Sequence, residues 1–261
     1  MSDVLLSEQT GRVLTLTMNR ADALNALNQE SIRVLRKAFE AASRDPGVGC
    51  VILTGAGRAF CTGADLREVS GRYDAGDTEL GEDLRRNYSP LIRAIRACAK
   101  PVIATINGTA AGAGLSLALA CDIRLASTVA QLIVVFIRVG LVPDAGSLFY
   151  LTRIFGLGKA TEMALTGEPM SAEEAHRLGA VAAVLPPEQL MAAAMERATR
   201  LAAGPIKTYA LIKRGLDRAL DLDLEQTLEL EAHLQTLAAS TSDHREAVKA
   251  FLEKRKPVFQ G

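Results

Sequence analysis

The sequence predicts an α/β fold in which mostly parallel strands alternate with helices and a helical region follows. Two apolar runs, CVILTG at 50–55 and PVIATING at 101–108, end in turn residues and are separated by a stretch of helical period. This alternation is typical of right-handed βαβ connections. Beyond about residue 146 the apolar residues recur at helical spacing, which predicts helices.

The N-terminal half supplies the predicted strands. RVLTLTM at 12–18 alternates like a half-buried strand, and Asn28 is placed to cap a helix running to about Ser43. Another helix is expected through Leu84, Leu91, Ile95 and Cys98. A further apolar run, AQLIVVFI at 130–137, follows DIRLA.

The C-terminal half reads as helices with clear boundaries. Ser171 and Glu174 form a capping-box pattern, Gly179 ends that helix, and Pro205 is suited to open another. VAAVL at 181–185 is the one strand expected there. We therefore predict an α/β core over residues 1–195 and a helical C-terminal region over residues 196–261, without a linker or internal repeat.

Composition excludes several classes of protein. The 261 residues are 49% hydrophobic and 23% charged, as in soluble globular proteins. Thirty Lys and Arg balance thirty Asp and Glu, and aromatic residues make up 4%, so neither a nucleic-acid nor an anionic-lipid partner is expected. The uncharged stretch 101–121 is long enough to span a membrane, but Asn107–Gly108 interrupts it, which favours a buried strand, turn and helix.

The N-terminal residues, the cysteines and the histidines give no indication of export or of a metal site. The N-terminus lacks the pattern of an export signal, so a cytoplasmic location is expected. Four widely spaced cysteines form no C-x-x-C pair, and three histidines without mutual spacing form no zinc site, so we predict reduced thiols and no metal.

Two strand ends lead into runs of small residues. AGRAFCTGADL at 56–66 follows the first apolar run, and NGTAAGAGLSLALACD at 107–122 follows the second. Ligands bind at the carboxyl ends of parallel strands, and backbone N–H groups there, at a helix N-terminus, would suit a developing oxyanion. The alternative is that both are tight turns whose small residues only permit packing. Neither a phosphate loop nor a dinucleotide fingerprint is present.

Five motifs in order resemble the crotonase superfamily, the enoyl-CoA hydratase and isomerase family. They are NRADALNALN at 19–28, AFCTGADL at 59–66, KPVIATINGTAAGAGLSLALACDIRLA at 100–126, GLVPDAG at 140–146 and AFLEKRKPVF at 250–259. The resemblance spans nearly the whole chain. It implies a spiral of ββα repeats with a helical C-terminal trimerisation region, assembled into homotrimers or into hexamers made of two trimers.

The resemblance also implies a chemistry. Family members act on acyl-CoA thioesters through an enolate whose oxygen is held by two backbone N–H groups, which by position are those of Ala64 and Ala113. Coenzyme A arrives as part of the substrate, and no metal or redox cofactor takes part. The positions that would contact coenzyme A are Ala23, Leu24, Gly63, Ala64, Asp65, Leu66, Gly108, Gly112 and Lys254. Asp65 and Leu66 read equally as a helix start, and Lys254 as a solvated helix end, while residues 67–90 would line or cover the acyl pocket.

Two departures from the hydratase pattern bear on the reaction. Enoyl-CoA hydratases carry one glutamate on the helix after the glycine-rich turn and a second in the segment that follows. By position this chain has Ser116 and Phe136 there. A serine hydroxyl is no base near neutral pH without activation, and the phenylalanine side chain has no group that can accept or donate a proton. Two-glutamate hydration is therefore disfavoured.

Asp144 in GLVPDAG is the remaining candidate acid/base. It resembles the aspartate of several crotonase isomerases, and the motifs are closest in style to epoxyphenylacetyl-CoA isomerase-type members, which act in phenylacetate degradation. Burial among Ile133, Val134, Val135, Phe136, Leu141 and Val142 would raise its pKa and strengthen the base. The alternative is that Asp144 only caps a helix beginning near Gly146.

Three functions follow from these residues. The first is an acyl-CoA isomerase that shifts a double bond, or rearranges a ring-derived acyl-CoA, with Asp144 as the single acid/base. The second is a divergent hydratase in which Asp144, together with Ser116, positions water. The third is a catalytically silent acyl-CoA-binding subunit.

Overall fold

The computed structural model describes residues 4–76 and 78–261 and contains two sheets. The strands are β1 (Leu5–Thr10), β2 (Val13–Met18), β3 (Cys50–Gly55), β4 (Ala59–Cys61), β5 (Val102–Ile106), β6 (Thr109–Ala111), β7 (Ile123–Ser127), β8 (Gln131–Ile133), β9 (Pro169–Ser171) and β10 (Ala183–Leu185). One sheet has six strands in the order β1-β2-β3-β5-β7-β10, and the other has four in the order β4-β6-β8-β9.

Helices fill the connections and the C-terminal part. They are α1 (Gln29–Arg44), α2 (Leu66–Asp74), α3 (Leu80–Asp83), α4 (Ser89–Ala97), α5 (Ala113–Ala120), α6 (Ser147–Thr166), α7 (Ala172–Arg177), α8 (Pro187–Ala202), α9 (Ile206–Ala219), α10 (Leu224–Ala239) and α11 (Ser242–Leu252). A π-helical turn over Leu84–Tyr88 joins α3 to α4. Short 3-10 turns cover Ala21–Ala23 and Val135–Val139.

The predicted α/β class and the spiral of ββα repeats are confirmed. In three successive pairs, the first strand joins the six-stranded sheet and the second joins the four-stranded sheet: β3 with β4, β5 with β6, and β7 with β8. The strands from β2 to β10 in the larger sheet are parallel. Because β4 pairs with β6 in parallel, the ends of these two strands lie side by side. Helix α2 follows β4, and helix α5 follows β6.

Most predicted element boundaries hold, because local chemistry sets them. The Asn28 side chain accepts a hydrogen bond from the Ser31 N–H at 2.8 Å and begins α1 as expected. Ser171 caps α7 in the same way, accepting from the Glu174 N–H at 3.1 Å. The stretch 101–121 forms β5, β6 and α5, and in the described ranges no helix is long and apolar enough to cross a membrane.

Two strands and one apolar run depart from expectation. Strand β1 has the sequence LLSEQT, which does not alternate between apolar and polar residues, so the sequence does not predict it as a strand. Only Leu5 of this strand is buried. The three-residue β9 also has a single buried residue, Met170. The run 130–137 is strand only over Gln131–Ile133, because the chain turns into a 3-10 helix at Val135.

Both faces of the six-stranded sheet are covered. Leu16 and Leu53 face α1 and the helices that follow the small-residue turns, whereas Ile52 and Ile103 face α8. Helix α8 lays Leu190 and its alanines on the sheet, so the predicted boundary between residues 195 and 196 falls inside a helix that packs on the core. The division into a core and a helical region stays a prediction.

Candidate active site

The ends of β4 and β6 are held together by close packing at glycines. A Cβ on Gly114 would lie 2.2 Å from the Cys61 carbonyl oxygen, and a Cβ on Gly63 would lie 3.1 Å from the carbonyl oxygen of Ala111. Gly63 and Gly112 also adopt positive φ angles of 97° and 52°. Glycine is therefore required here both for space and for backbone conformation.

The amides of Ala64 and Ala113 emerge from these two turns. Leu27 bridges the first turn, donating its N–H to the Gly63 carbonyl at 2.7 Å and accepting from the Asp65 N–H at 2.9 Å. These bonds go to the residues on either side, which leaves the Ala64 N–H without an acceptor among the described residues. Ala113 is the first residue of α5, whose N–H has no acceptor within the helix. Two backbone donors from neighbouring repeats are thus left without a backbone acceptor among the described residues.

A cavity of about 200 Å³ opens beside these amides. Its apolar wall consists of Leu66, Val69, Leu80, Leu84, Val135, Phe136, Val139 and Leu141, and its polar side chains are Thr62, Asp83, Tyr88 and Asp144. Gly63, Ala64, Gly112 and Ala113 complete the lining. The segment 67–90 contributes to this wall as predicted, although residue 77 lies outside the described residues.

Asp144 does not cap the helix that follows it. Helix α6 begins at Ser147, and its N-cap residue is Gly146 with a φ of 84°. The Ser147 N–H donates to the Asp144 backbone carbonyl at 2.8 Å, so the carboxylate is left out of the helix start. Its Oδ1 is buried and has no hydrogen-bond partner among the described residues. The side chain instead lines the cavity.

Burial raises the pKa of Asp144 to about 6, and the negative charge of Asp83 adds to the effect. The expected desolvation is present, but the wall differs in part from the expected one. Of the expected residues, Val135, Phe136 and Leu141 line the cavity. Ile133 and Val134 do not line it, and Val142 is 73% exposed. The wall is completed instead by residues of α2, α3 and the π turn.

Asp83 is a second carboxylate on the cavity, and it was not predicted from the sequence. Its Oδ2 pairs with the Arg72 guanidinium at 2.8 Å. Its Oδ1 accepts from Gln29 Nε2 at 2.8 Å and from Asn87 Nδ2 at 2.6 Å. In sequence Asp83 lies in a stretch rich in charge, GEDLRR, where nothing separates it from solvated neighbours.

Ser116 supports the backbone around Asp144 rather than the cavity. Its side chain is fully buried, and its Oγ lies 3.1 Å from the Asp144 carbonyl oxygen and 2.6 Å from Ser147 Oγ. It does not line the cavity. The hydroxyl is therefore not placed to position water there, contrary to the role that the hydratase hypothesis gave it.

The residues expected at coenzyme A fall into two groups. Gly63, Ala64, Leu66 and Gly112 line the cavity. The predicted positions outside its lining are Ala23, Leu24, Asp65, Gly108 and Lys254.

Local structure accounts for Asp65, Gly108 and Lys254. Asp65 caps α2 by accepting from the Arg67 N–H at 3.1 Å, as the helix-start alternative predicts, and it pairs with Arg20 at 2.8 Å. Partial burial opposes ionisation, but the bonds from Arg20 and Arg67 lower the pKa of Asp65 overall. A Cβ on Gly108 would lie 2.0 Å from the Arg58 carbonyl oxygen, and Lys254 is exposed beyond α11.

Cysteine and histidine side chains supply no alternative chemistry. All four cysteines are free and buried, and burial raises the pKa of the Cys61 thiol to about 12, which keeps it protonated. His176 Nδ1 lies 2.7 Å from the Val181 carbonyl oxygen and so serves packing at the end of α7. The cavity carboxylates are therefore the acid/base groups to consider.

A family model described as enoyl-CoA hydratase/isomerase matches residues 8–261. The chain belongs to the enoyl-CoA hydratase/isomerase family. It is 40% identical to the 1,2-epoxyphenylacetyl-CoA isomerase of Escherichia coli and 36% identical to the 2,3-dehydroadipyl-CoA hydratase of that organism, each over 100% of both chains. The solved structure of an enoyl-CoA hydratase subunit I from Geobacillus kaustophilus superposes with a TM-score of 0.92 at 36% identity, covering 100% of both chains.

Members of the enoyl-CoA hydratase/isomerase family that resemble this chain carry both activities in their names, so family membership alone does not separate isomerisation from hydration. The separation has to come from the cavity. Ala64 and Ala113 line it, and the buried Asp144 carboxylate lies on the same cavity. This arrangement suits removal of a proton next to a polarised carbonyl group.

Proposed function

We propose that this protein is an acyl-CoA isomerase that shifts a double bond, or rearranges a ring-derived acyl group, through a thioester enolate. In this proposal the Ala64 and Ala113 amides hold the thioester oxygen, and Asp144 is the single acid/base. The observation that carries it is the Asp144 carboxylate, whose buried Oδ1 has no hydrogen-bond partner in the part of the chain that the structure describes. Asp144 lines the same cavity as Ala64 and Ala113. Coenzyme A enters as part of the substrate, and no metal or redox cofactor takes part in the proposed steps.

The proton balance needs one carboxylate. Asp144 removes a proton from the carbon between the thioester and a β,γ double bond, and the electron pair moves onto the thioester oxygen held by the two amides. When the enolate collapses, Asp144 returns a proton to the γ carbon, which leaves an α,β double bond. The atoms of the acyl group are conserved, and Asp144 ends ionised as it began.

Coenzyme A is proposed to lie across the turn at Ala23 and Leu24 and along Asp65 and Leu66. The Leu24 carbonyl accepts from the Thr62 N–H at 3.2 Å, which ties this turn to the cavity. Leu66 is 55% exposed at the cavity wall, so an apolar part of the ligand can cover it. Lys254 is exposed beyond α11, and we propose that it reaches the ligand from a neighbouring subunit.

Hydration is the competing function, and Asp83 is the observation that favours it, because it places a second carboxylate on the cavity. A hydratase needs one group to activate water and another to deliver a proton. Both Asp83 oxygens are already occupied, Oδ1 by Gln29 and Asn87 and Oδ2 by Arg72. Water or substrate would have to displace one of these donors to reach an Asp83 oxygen, so this set of contacts favours Asp144 acting alone.

The test is turnover of a 3-enoyl-CoA in deuterated water, followed by absorbance of the conjugated thioester and by product mass. We expect an isomer that has gained deuterium and no oxygen. A product heavier by one water would overturn the proposal in favour of hydration. No turnover, with this substrate or with a ring-epoxide acyl-CoA, would instead support a silent acyl-CoA-binding subunit.

The rate should depend on pH with a midpoint near 6. Proton removal requires ionised Asp144, whose pKa is raised to about 6 by burial and by Asp83. We therefore expect kcat/KM to rise about tenfold per pH unit below this midpoint and to level off above it. A profile measured on the isomerisation of a 3-enoyl-CoA checks this, and a midpoint near 4 would mean that another carboxylate is titrating.

We propose further that the chain assembles into homotrimers or into hexamers of two trimers. Apolar side chains lie exposed on the C-terminal helices, including Leu216 at 68%, Leu224 at 69% and Phe251 at 82%. A groove of about 610 Å³ runs between α9 and α10 beside them. Apolar surface of this kind is typical of subunit interfaces, and sedimentation equilibrium gives the number of subunits.

A further inference from the structure

One polar group on the cavity wall has no role in the proposed proton transfer: the hydroxyl of Tyr88. Tyr88 ends the π turn, is 7% exposed, and has its side chain in the cavity lining. Its hydroxyl makes no hydrogen bond with any described residue, and most of the side chains that line the cavity are apolar. Its oxygen is not among the fully buried atoms without a partner, so the hydroxyl is reached from the cavity and bonds to whatever occupies it.

The surroundings keep this hydroxyl protonated. Burial raises the pKa of Tyr88, and the charges of Asp83 and Asp144 raise it further. The phenol therefore stays protonated at physiological pH and can donate a hydrogen bond.

Neither nearby carboxylate takes the hydrogen bond. Asp83 accepts instead from Gln29, Arg72 and Asn87, and Asp144 Oδ1 has no partner among the described residues. The apolar residues of the wall, among them Val69, Leu80 and Leu84, have no acceptor in their side chains. The acceptor that this donor lacks has to come from whatever fills the cavity.

We infer that the Tyr88 hydroxyl donates a hydrogen bond to an oxygen atom of the acyl group. The cavity then prefers acyl groups that carry a ring ether, epoxide or hydroxyl oxygen over plain hydrocarbon groups. The inference rests on the proposed acyl-CoA function and adds the class of acyl group. A site that satisfies a polar group only with the right ligand discriminates strongly against an analogue lacking it.

Binding of saturated acyl-CoAs tests this without turnover. Cyclohexylacetyl-CoA is compared with the positional isomers of tetrahydropyranylacetyl-CoA, in which an oxygen replaces one ring CH₂ group. Dissociation constants are measured by calorimetry for the wild type and for Tyr88→Phe, which keeps the ring and removes the hydroxyl. The matched control is Tyr73→Phe on α2, because Tyr73 is 44% exposed and does not line the cavity.

For at least one ether isomer, Tyr88→Phe should weaken binding about tenfold and leave the carbocycle within twofold. Tyr73→Phe should change neither. Equal weakening of all ligands would overturn the inference, since the hydroxyl would then act on the fold or on Asp144. Unchanged binding of every ether would overturn it as well. Because these ligands contain no double bond to shift, a protein without isomerase activity can still show the Tyr88 effect, so the two proposals fail separately.

Discussion

Replacing Asp144 with asparagine is expected to lower kcat for isomerisation of a 3-enoyl-CoA by about a thousandfold. Asparagine fills the same space beside the cavity but cannot accept the proton, and no other unpaired carboxylate lines that cavity among the described residues. The dissociation constant of a saturated acyl-CoA should change little, because the two backbone amides remain. Both quantities are measured on the same preparations.

Asp74→Asn is the matched control for this variant. Asp74 is exposed at the end of α2, does not line the cavity, and undergoes the same chemical change. Its kcat should equal that of the wild type. Asp144→Asn with more than a tenth of wild-type kcat would show that the proton is handled elsewhere.

The same pair of variants separates stability from activity. The pKa of Asp144 rises from 3.8 to about 6 on folding, so its folding contribution is complete below pH 4 and is lost as pH rises through 6. We expect the wild type to lose about 2 kcal/mol of unfolding free energy relative to Asp144→Asn between pH 4 and pH 7. Urea unfolding at the two pH values measures this. A difference of opposite sign would contradict the burial of an unpaired carboxyl group.

Gly114→Ala is expected to have the largest effect on the fold. The added Cβ would lie 2.2 Å from the Cys61 carbonyl oxygen and 2.8 Å from the Cys61 Cβ, both of which belong to the buried strand β4. Backbone cannot move aside as a flexible side chain can, so α5 must shift away from β4. We expect a loss of about 3 kcal/mol in the free energy of unfolding, measured by urea titration. We also expect a lower kcat, because the shift of α5 displaces the Ala113 amide.

Gly71→Ala provides the comparison for that substitution. Gly71 lies in α2, and a Cβ there meets nothing within 4 Å. Alanine is the better helix former, so this variant should gain up to about 1 kcal/mol. If the two alanine variants unfolded at the same urea concentration, close approach of α5 to β4 would not be the reason for the glycine.

Local signals in the sequence predicted the parts of the fold that local chemistry determines. Asn28 and Ser171 cap helices as expected because a side-chain oxygen and a nearby N–H suffice. The small-residue turns indicated close approach of the backbone at the two strand ends, and the family resemblance singled out the amides of Ala64 and Ala113 there. The sequence did not predict strand β1, because this strand is stabilised by backbone pairing with β2 and only its Leu5 is buried.

The rest of the cavity depends on contacts between elements far apart in the chain. Asp83 is placed by Arg72 and Asn87, which are near it in sequence, but also by Gln29, which is 54 residues away. Ser116 lies 28 residues before Asp144, and nothing in their spacing indicates that the serine holds the aspartate's backbone. Such roles follow from tertiary packing, which periodicity and motif spacing do not encode.

The pairing of β4 with β6 also constrains how this catalyst can evolve. The two amides follow these strands, whose register sets Ala59 opposite Thr109 and Cys61 opposite Ala110, with one extra residue of β4 between the two pairs. Register changes only in whole residues, each a step of about 3.3 Å, so single substitutions cannot adjust the separation of the amides gradually. The wall formed by α2, α3 and the π turn has no such restriction. New acyl groups should therefore be acquired by changes in that wall, around the proposed pair of oxygen-binding amides, whose spacing is inherited unchanged.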